Sequence, residues 1–312
     1  MGEASFVAGD WGTSHLRLFL CDARGAVLDS GSGPGAADAG GGFSEIFDSL
    51  TARWQPRSGA LPAVLCGMVG STIGWIHAPY LPCPAVPDQI ADGCVAPRRD
   101  VHIVPGLSCH NRFAAPDFLR GEETQILGAL LLVPALRNGR RLLCLPGTHT
   151  KWAVLQDGAV QEFLSAPTGE LFALLSEHSV LVRKLSQKSA VDADAFREGV
   201  SRFNEYPHAQ LLHRLFECRS RMLGGELAAE NAAAYLSGLL VASDVHGALS
   251  LLSISGSGPV YLIGSSELTQ LYAMALASHG CGASPVDGAA AALAGLAQVH
   301  RRISQPVAAH DA

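Results

Sequence analysis

Three short apolar runs open the chain, at Ser5 to Gly9, Leu16 to Cys21 and Ala26 to Asp29. Each is long enough for one buried strand, and the turn around Asp22 to Gly25 joins the last two, so together they predict a three-stranded meander. Residues 30–42, rich in glycine and interrupted by Pro34, predict a mobile loop. Helical spacing takes over at Phe43, Ile46, Phe47 and Leu50. Ala63 to Cys66 and Val101 to Val104 read as short buried strands, and Glu122 to Val133 as a helix stopped by Pro134. The order then repeats. A second meander is predicted at Leu142 to Leu145, Trp152 to Leu155 and Val160 to Leu164, with helices near 169–176, 192–203 and 208–217. A long alanine- and leucine-rich helix follows from Glu226 to Leu249, then a strand at Val260 to Ile263 and a helix at Leu268 to Ser278 opened by Ser265-Ser266. A last helix, rich in small residues, spans Gly288 to Arg302.

The repetition extends to chemistry. Asp10-Trp11-Gly12-Thr13-Ser14-His15 and Leu145-Pro146-Gly147-Thr148-His149-Thr150 each form the turn between two apolar strands, and the residues after each turn also run in parallel. A Gly-Thr turn exposes backbone N–H groups beside a hydroxyl, which makes a concave anion site suited to phosphate. Two such turns in opposed halves would hold one polyphosphate between them. Ordinary hairpins also carry glycine and threonine, so the residues alone leave that simpler reading open.

Composition narrows the classes. The 312 residues exceed the usual size of one core and predict about two domains. With 48% hydrophobic and 16% charged residues the chain is not disordered. A net charge of -6 and the lack of any Lys/Arg block argue against a nucleic-acid surface and favour a small soluble ligand. The N-terminal apolar run has no basic region ahead of it and is broken by Asp10, so nothing directs export. The longest apolar stretch, around Ile126 to Leu136, is too short to span a bilayer, and no membrane partner is expected. Eight cysteines without a C-x-x-C pair read as reduced core residues of a cytoplasmic protein.

The Asp-x-Gly-Thr hairpin, the second Gly-Thr hairpin, the strand leading into Gly264-Ser265-Ser266 and the small-residue helices at 122–133 and 288–302 resemble the actin-like ATPase superfamily of sugar kinases, acetate kinases and heat-shock chaperones. The resemblance covers nearly the whole chain. Within that superfamily, Phe6 to Ser14, Gly67-Met68-Val69-Gly70-Ser71, Gly74-Trp75, Arg120-Gly121-Glu122-Glu123-Thr124-Gln125 and Pro146-Gly147-Thr148-His149-x-Lys151-Trp152 resemble the 2-dehydro-3-deoxygalactonokinase family. The resemblance implies an α/β fold of two actin-like (ribonuclease H-like) domains of the βββαβαβα type with a nucleotide cleft between them. It implies ATP as phosphoryl donor and the 6-hydroxyl of 2-dehydro-3-deoxy-D-galactonate, a sugar acid of galactonate catabolism, as acceptor. The expected division is 1–138 for acceptor and phosphate, 139–287 for nucleotide, and 288–312 as a helix packing back at the domain interface, its small residues and those of 122–133 sliding as a hinge.

Individual residues take roles in that frame. Asp10, at the lip of the first turn, is a candidate catalytic carboxylate and Mg²⁺ holder, since that ion keeps most of its water and takes few protein oxygens. Gly12, Thr13 and Ser14 would donate to the β- and γ-phosphates, with Gly147 and Thr148 doing the same from the second turn. Lys151 and Arg17 could add charge there or point to solvent. Gly264 and Ser265 would approach adenosine. Many sugar kinases carry an Asp near the second turn, but this chain has Cys144-Leu145-Pro146. The base must then come from elsewhere, and Glu122 and Glu123 at a helix N-terminus are the candidates, Glu122 preferred. Acidic side chains are also favoured there by the helix dipole alone. For the acceptor, the segment 67–81 mixes glycines, hydroxyls, an indole and a phenol, and Ser71, Trp75, Arg120 for the carboxylate, Glu170 and His178 are the candidates.

Other classes compete. An actin-like phosphohydrolase using water, or a kinase of a related keto-deoxy sugar acid, would share most of these features, although the hydrolases' second loop is usually a run of glycines. A nucleotide-gated chaperone would need a further substrate domain, where this chain has only a short polar tail. Gly31-Ser32-Gly33-Pro34-Gly35-Ala36 formally fits a dinucleotide-binding fingerprint but lacks the strand-to-helix context. The sequence leaves the oligomeric state, a homodimer included, open.

Overall fold

A computed structural model describes residues 2–57, 61–182, 192–206, 210–252 and 258–305. The chain divides into two compact units, Met1–Gly139 with Leu155–Glu162 and Gly288–Ala312, and Arg140–Val154 with Phe163–Asp287. The final helix, expected as a separate segment 288–312, thus groups with the first unit.

The first unit begins with the meander β1 (Ala4–Trp11), β2 (His15–Asp22) and β3 (Val27–Pro34), then α1 (Phe43–Thr51) and β4 (Ala63–Gly67). After it come β5 (Tyr80–Pro82), α2 (Pro87–Asp92), β6 (Val95–Arg98), β7 (Val101–Ile103), β8 (Gly106–His110), β9 (Pro116–Leu119) and α3 (Glu122–Leu132). The main sheet has the order β3-β2-β1-β4-β7-β6, with β4 parallel to β1 and β7 parallel to β4. A small sheet β5-β8-β9 holds part of the segment between β4 and α3. Alternation along β2 buries Leu16 and Leu18 against Trp11, Phe43 and Phe47, which anchor α1 on the sheet.

The glycine-rich stretch 30–42 is not the expected mobile loop. Residues 30–34 extend β3 and pair with β2 as far as His15↔Pro34. Here the glycines serve close packing: a Cβ at Gly33 would lie 2.7 Å from the Leu50 side chain of α1. One at Gly35 would meet the Thr13 carbonyl oxygen at 2.1 Å. Ala36 and Ala37 then donate their N–H groups to the carbonyls of Gly12 and Thr13, both at 3.0 Å, so this segment braces the first turn.

The second unit repeats the pattern. Its sheet, in the order β12-β11-β10-β13-β14, is built from β10 (Arg140–Leu145), β11 (Thr150–Gln156), β12 (Ala159–Ala166), β13 (Val260–Gly264) and β14 (Ala283–Asp287), the hairpin end Leu155–Glu162 of β11 and β12 being the part grouped with the first unit. Strands β13 and β14 lie parallel to β10 and β13 respectively. Between β12 and β13 run α4 (Thr168–His178), α5 (Ala193–Glu205), α6 (Leu211–Leu215), α7 (Glu217–Leu223) and α8 (Ala232–Leu251), with α9 (Ser266–Ser278) between β13 and β14. The expected helix at 208–217 starts outside the described residues, and its described part is two short helices. Helix α8 begins six residues later than expected, after a 3₁₀ turn at Ala229–Asn231. Among the described residues the segment long and apolar enough to cross a membrane is Ala229–Leu251, not Ile126 to Leu136, but 67% of its apolar window is buried inside the protein. It is the core helix of this unit, with Tyr235, Leu236 and Leu239 packed beside Phe196 and Phe203 of α5.

The two sheets share the sequence meander, parallel strand, parallel strand, and the second unit keeps the βββαβαβ order up to β14, after which the chain's last helix groups with the first unit. That is the actin-like arrangement. In the first unit α10 (Gly288–Ser304) packs on α3. A Cβ on Gly128 would sit 1.7 Å from the Ala291 carbonyl oxygen, and one on Gly295 would sit 2.0 Å from that of Thr124. These small residues lock two helices backbone to backbone, where the sequence reading expected a sliding pair. Gly128→Ala should accordingly destabilise the protein by about 2 kcal/mol or more, since both backbones must move apart. Urea unfolding measures this, and an unchanged midpoint would show that the helices separate freely.

Candidate active site

Parallel strands place ligands beyond their carboxyl ends, and the first unit's site residues gather there. Asp10, next to last in β1, pairs in register with Arg17 on β2 and Cys66 on β4. Its Oδ2 accepts from Arg17 Nη2 at 2.5 Å. Beyond it Gly12, Thr13 and Ser14 make the turn, closed by Gly12 N–H to the His15 carbonyl at 2.9 Å. An open depression of about 380 Å³ is lined by Asp10, Gly12, Ser14, His15, Leu16, Arg17 and Ser32. Arg17 thus faces the depression and the Asp10 carboxylate together. On β4 the chain turns sharply at Gly67, whose φ of +89° suits only glycine. A Cβ there would stand 2.8 Å from the Trp11 carbonyl oxygen and 3.5 Å from Asp10 Oδ1.

Gly121, itself at φ +103°, comes against the Gly67 Cα, so the start of α3 meets the ends of β1 and β4. The two glutamates diverge as successive helix positions must. Glu123 is fully buried. Its Oε2 accepts from the Gly121 N–H at 2.6 Å and its Oε1 from the Thr124 hydroxyl at 2.9 Å. Burial, reinforced by the neighbouring Glu122 charge and only partly offset by those hydrogen bonds, pushes its carboxyl up to about 8. The buried Cys66 thiol is raised well above its ordinary value, first by burial and then by the charges of Asp10 and Glu123. Glu122 is half-buried, and its Oε2 accepts from the Arg120 N–H at 3.0 Å.

Among the described residues, the Arg120 side chain is held by a backbone carbonyl and a phenol rather than by a carboxylate. Its Nη2 donates to the Ala78 carbonyl at 2.8 Å and its Nε to Tyr80 Oη at 3.3 Å, while the guanidinium lies 4.3 Å from the Tyr80 ring centroid. Nη1 is buried over Gly70 without a hydrogen-bond partner among the described residues. Ser71 is buried close by in sequence, its hydroxyl donating to the Met68 carbonyl at 2.8 Å. Trp75 belongs elsewhere: its ring tilts against Phe47, with Arg98 at 5.5 Å.

In the second unit the turn at Pro146 to His149 lies against the N-terminus of α4. A Cβ on Gly169 would be 2.4 Å from the Gly147 carbonyl oxygen, and Glu170 donates its N–H to the Thr148 carbonyl at 2.9 Å. The Glu170 carboxylate pairs with His149 Nε2 at 2.8 Å, so within the second unit Glu170 supports the turn. Lys151 is buried, contrary to a solvent-pointing placement, and Nζ donates to Ser165 Oγ at 2.6 Å. Gly264 ends β13 against Pro146. Ser265 caps α9, its hydroxyl accepting from the Leu268 N–H at 3.4 Å. His178 sits at the exposed end of α4, near Glu177.

Two residues escaped the sequence reading. Tyr80 reads in the sequence only as a phenol in a mixed segment, yet its ring and hydroxyl hold Arg120 together with the Ala78 carbonyl. Asp244 lies inside the apolar α8, where a lone acid among alanines and leucines is the only sequence signal. Its carboxylate accepts from Trp152 Nε1 at 2.8 Å, Thr168 Oγ1 at 2.7 Å and Tyr272 Oη at 2.6 Å. Burial raises its pKa, and these bonds pull it back.

Residues 10–299 match the model of a family described as 2-keto-3-deoxy-galactonokinase. A relative from Rhizobium meliloti (strain 1021), "Probable 2-dehydro-3-deoxygalactonokinase DgoK1", is 40% identical over 96% of this chain and 97% of its own length. The 2-dehydro-3-deoxygalactonokinase of Escherichia coli (strain K12) is 32% identical over 96% and 99%. A crystal structure of a protein of the same designation from Sinorhizobium meliloti superposes with a TM-score of 0.86 at 37% identity, covering 96% of this chain and all of that one.

Proposed function

This chain belongs to the 2-keto-3-deoxy-galactonokinase family, and from that membership we propose that it transfers the γ-phosphoryl of ATP to the 6-hydroxyl of 2-dehydro-3-deoxy-D-galactonate, in galactonate catabolism. It is a phosphotransferase with an alcohol acceptor. The observation that carries the reading within the fold is the open depression where Asp10 and Arg17 face the Gly12 to Ser14 turn. Its donors suit phosphate oxygens, and phosphoryl transfer is chiefly positioning and charge neutralisation.

Gly12, Thr13 and Ser14 donate to phosphate from the first unit, Gly147 and Thr148 from the second, and Gly264 and Ser265 approach adenosine. No cluster of three or more His, Cys, Asp or Glu fit to hold a metal is found among the described residues. A single carboxylate at Asp10 suits Mg²⁺ delivered with ATP, because that ion keeps its waters and needs only one or two protein oxygens. Mg²⁺ there would neutralise phosphate charge. Glu122 takes the proton of the attacking hydroxyl, and Arg120, whose side chain pairs with no carboxylate among the described residues, receives the acid group of the acceptor. The eight free cysteines support a cytoplasmic setting.

The test offers the purified protein ATP, Mg²⁺ and a panel of sugars, sugar acids and 2-keto-3-deoxy acids while ADP is followed. ADP release at an equal rate without acceptor would establish a phosphohydrolase, and preference for another keto-deoxy acid would reassign the substrate. Arg120→Leu should raise KM for the sugar acid roughly 10–100-fold, the size of a lost charge-assisted hydrogen bond, with KM for ATP within about twofold. Equal changes in both constants would remove the carboxylate role.

A further inference from the structure

We propose that Asp244 is the positioning residue of the second phosphate turn, a role that rests on reading Gly147 and Thr148 as phosphate donors. A carboxylate placed inside an apolar helix costs desolvation, and here three hydrogen bonds offset that cost. What the bonds reach is informative. Thr168 is the first residue of α4, and the two residues after it fix the turn, Gly169 by backbone contact with Gly147 and Glu170 by its N–H to the Thr148 carbonyl. Tyr272, the second donor, shares its hydroxyl with Thr150 Oγ1 at 2.7 Å, and Thr150 is the first residue of β11 after the turn. One carboxylate oxygen, Oδ2, accepts from both Thr168 and Tyr272. It therefore ties the strand leaving the turn to the helix braced against it. Trp152 Nε1 on Oδ1 fixes the carboxylate plane from β11.

Asp244 itself touches no reacting atom in this scheme. It sets the spacing of the backbone N–H groups that do, and a positioning error at a phosphate site is felt in binding and rate before it is felt in folding. Replacing Asp244 by Asn leaves one acceptor oxygen for three donors, so whichever way the amide turns either the two hydroxyls or the Trp152 Nε1–H face an amide N–H2, and the junction loosens while the side-chain volume is kept.

Asp244→Asn and, independently, Thr168→Val should each raise KM for ATP about tenfold, with KM for the sugar acid within about twofold. Calorimetry without acceptor should show weaker binding of a non-hydrolysable ATP analogue and unchanged binding of AMP, which lacks the β- and γ-phosphates. Tyr235→Phe removes another buried hydroxyl bond of this unit, to Glu217 Oε2 at 3.0 Å, and should lower Tm without this pattern. If Asp244→Asn fails to fold, Thr168→Val carries the test. A lowered Tm with unchanged KM for ATP, or parallel loss of ATP analogue and AMP, would overturn the proposal. Thr148→Pro, which removes a backbone N–H of the turn, separates the two levels: if it leaves ATP binding unchanged, the phosphate reading of the turn fails. If it weakens ATP binding while Asp244→Asn and Thr168→Val do not, only the positioning role fails.

Discussion

Asp10→Asn is expected to lower kcat by at least about a hundredfold, the order seen when electrostatic stabilisation of a transferring phosphoryl group is damaged. The substitution keeps shape and removes charge. Asp10 sits in β1 in register with Arg17 and Cys66, and the turn beyond it is closed by Gly12 N–H to His15 and braced by Ala36 and Ala37, none of which uses the Asp10 carboxylate. Folding should therefore survive, with a thermal midpoint near that of the parent. The one bond weakened is that of the half-exposed Arg17, and exposed pairs of this kind contribute little to stability. The Mg²⁺ concentration for half-maximal activity should rise as well. Steady-state kinetics at several Mg²⁺ concentrations, with circular dichroism as the folding check, decide the matter: near-normal turnover in a folded variant would leave Asp10 as a residue that merely shapes the turn.

Much of this site is legible in the sequence because it is local. The two Gly-Thr turns lie between strands whose apolar runs are continuous, and the start of α3 is marked by Gly121 before two acids and an apolar helix. Meander order and the buried strands at Ala63 and Val101 are readable from the same short runs, while their parallel pairing emerges only in the fold. Contacts that depend on long-range packing were hidden. Residues 30–34 look like a loop because glycine usually marks one, whereas Gly33 and Gly35 make room for α1 and for the first turn. The small sheet β5-β8-β9 does not show in the sequence because its strands are three to five residues long and their residue types do not follow the burial, as in β9, where Asp117 is buried and Phe118 exposed. Trp75 and Glu170 have the right chemistry for an acceptor site, but tertiary packing commits the first to Phe47 and Arg98 and the second to His149. Asp244 shows the converse: its chain neighbours are apolar, and its function depends on partners 76 and 28 residues away in Thr168 and Tyr272.

The second large effect is expected at Glu122. Glu122→Gln should bind ATP and the sugar acid and lose kcat by roughly 10²–10⁴-fold, the contribution of a positioned general base. The choice between the adjacent acids turns on access and protonation. Glu123 has no exposed surface, spends both oxygens on Gly121 and Thr124, and holds its proton to about pH 8, so near neutrality it is mostly uncharged and cannot take a proton from the acceptor. Glu122 is half-buried beside Arg120, the residue that would receive the acid group of the acceptor. Glu123→Gln should change kcat far less and reveal itself in stability. Because the folded state keeps a proton that the unfolded chain releases, Glu123 makes stability fall as pH rises from near 4.5 to about 8. Glutamine can still accept from the Gly121 N–H and donate to Thr124, so this variant should flatten that slope in denaturant titrations. If instead Glu123→Gln abolishes turnover and the parent kcat climbs through pH 8, the base is Glu123. Two active variants would take the start of α3 out of the chemistry.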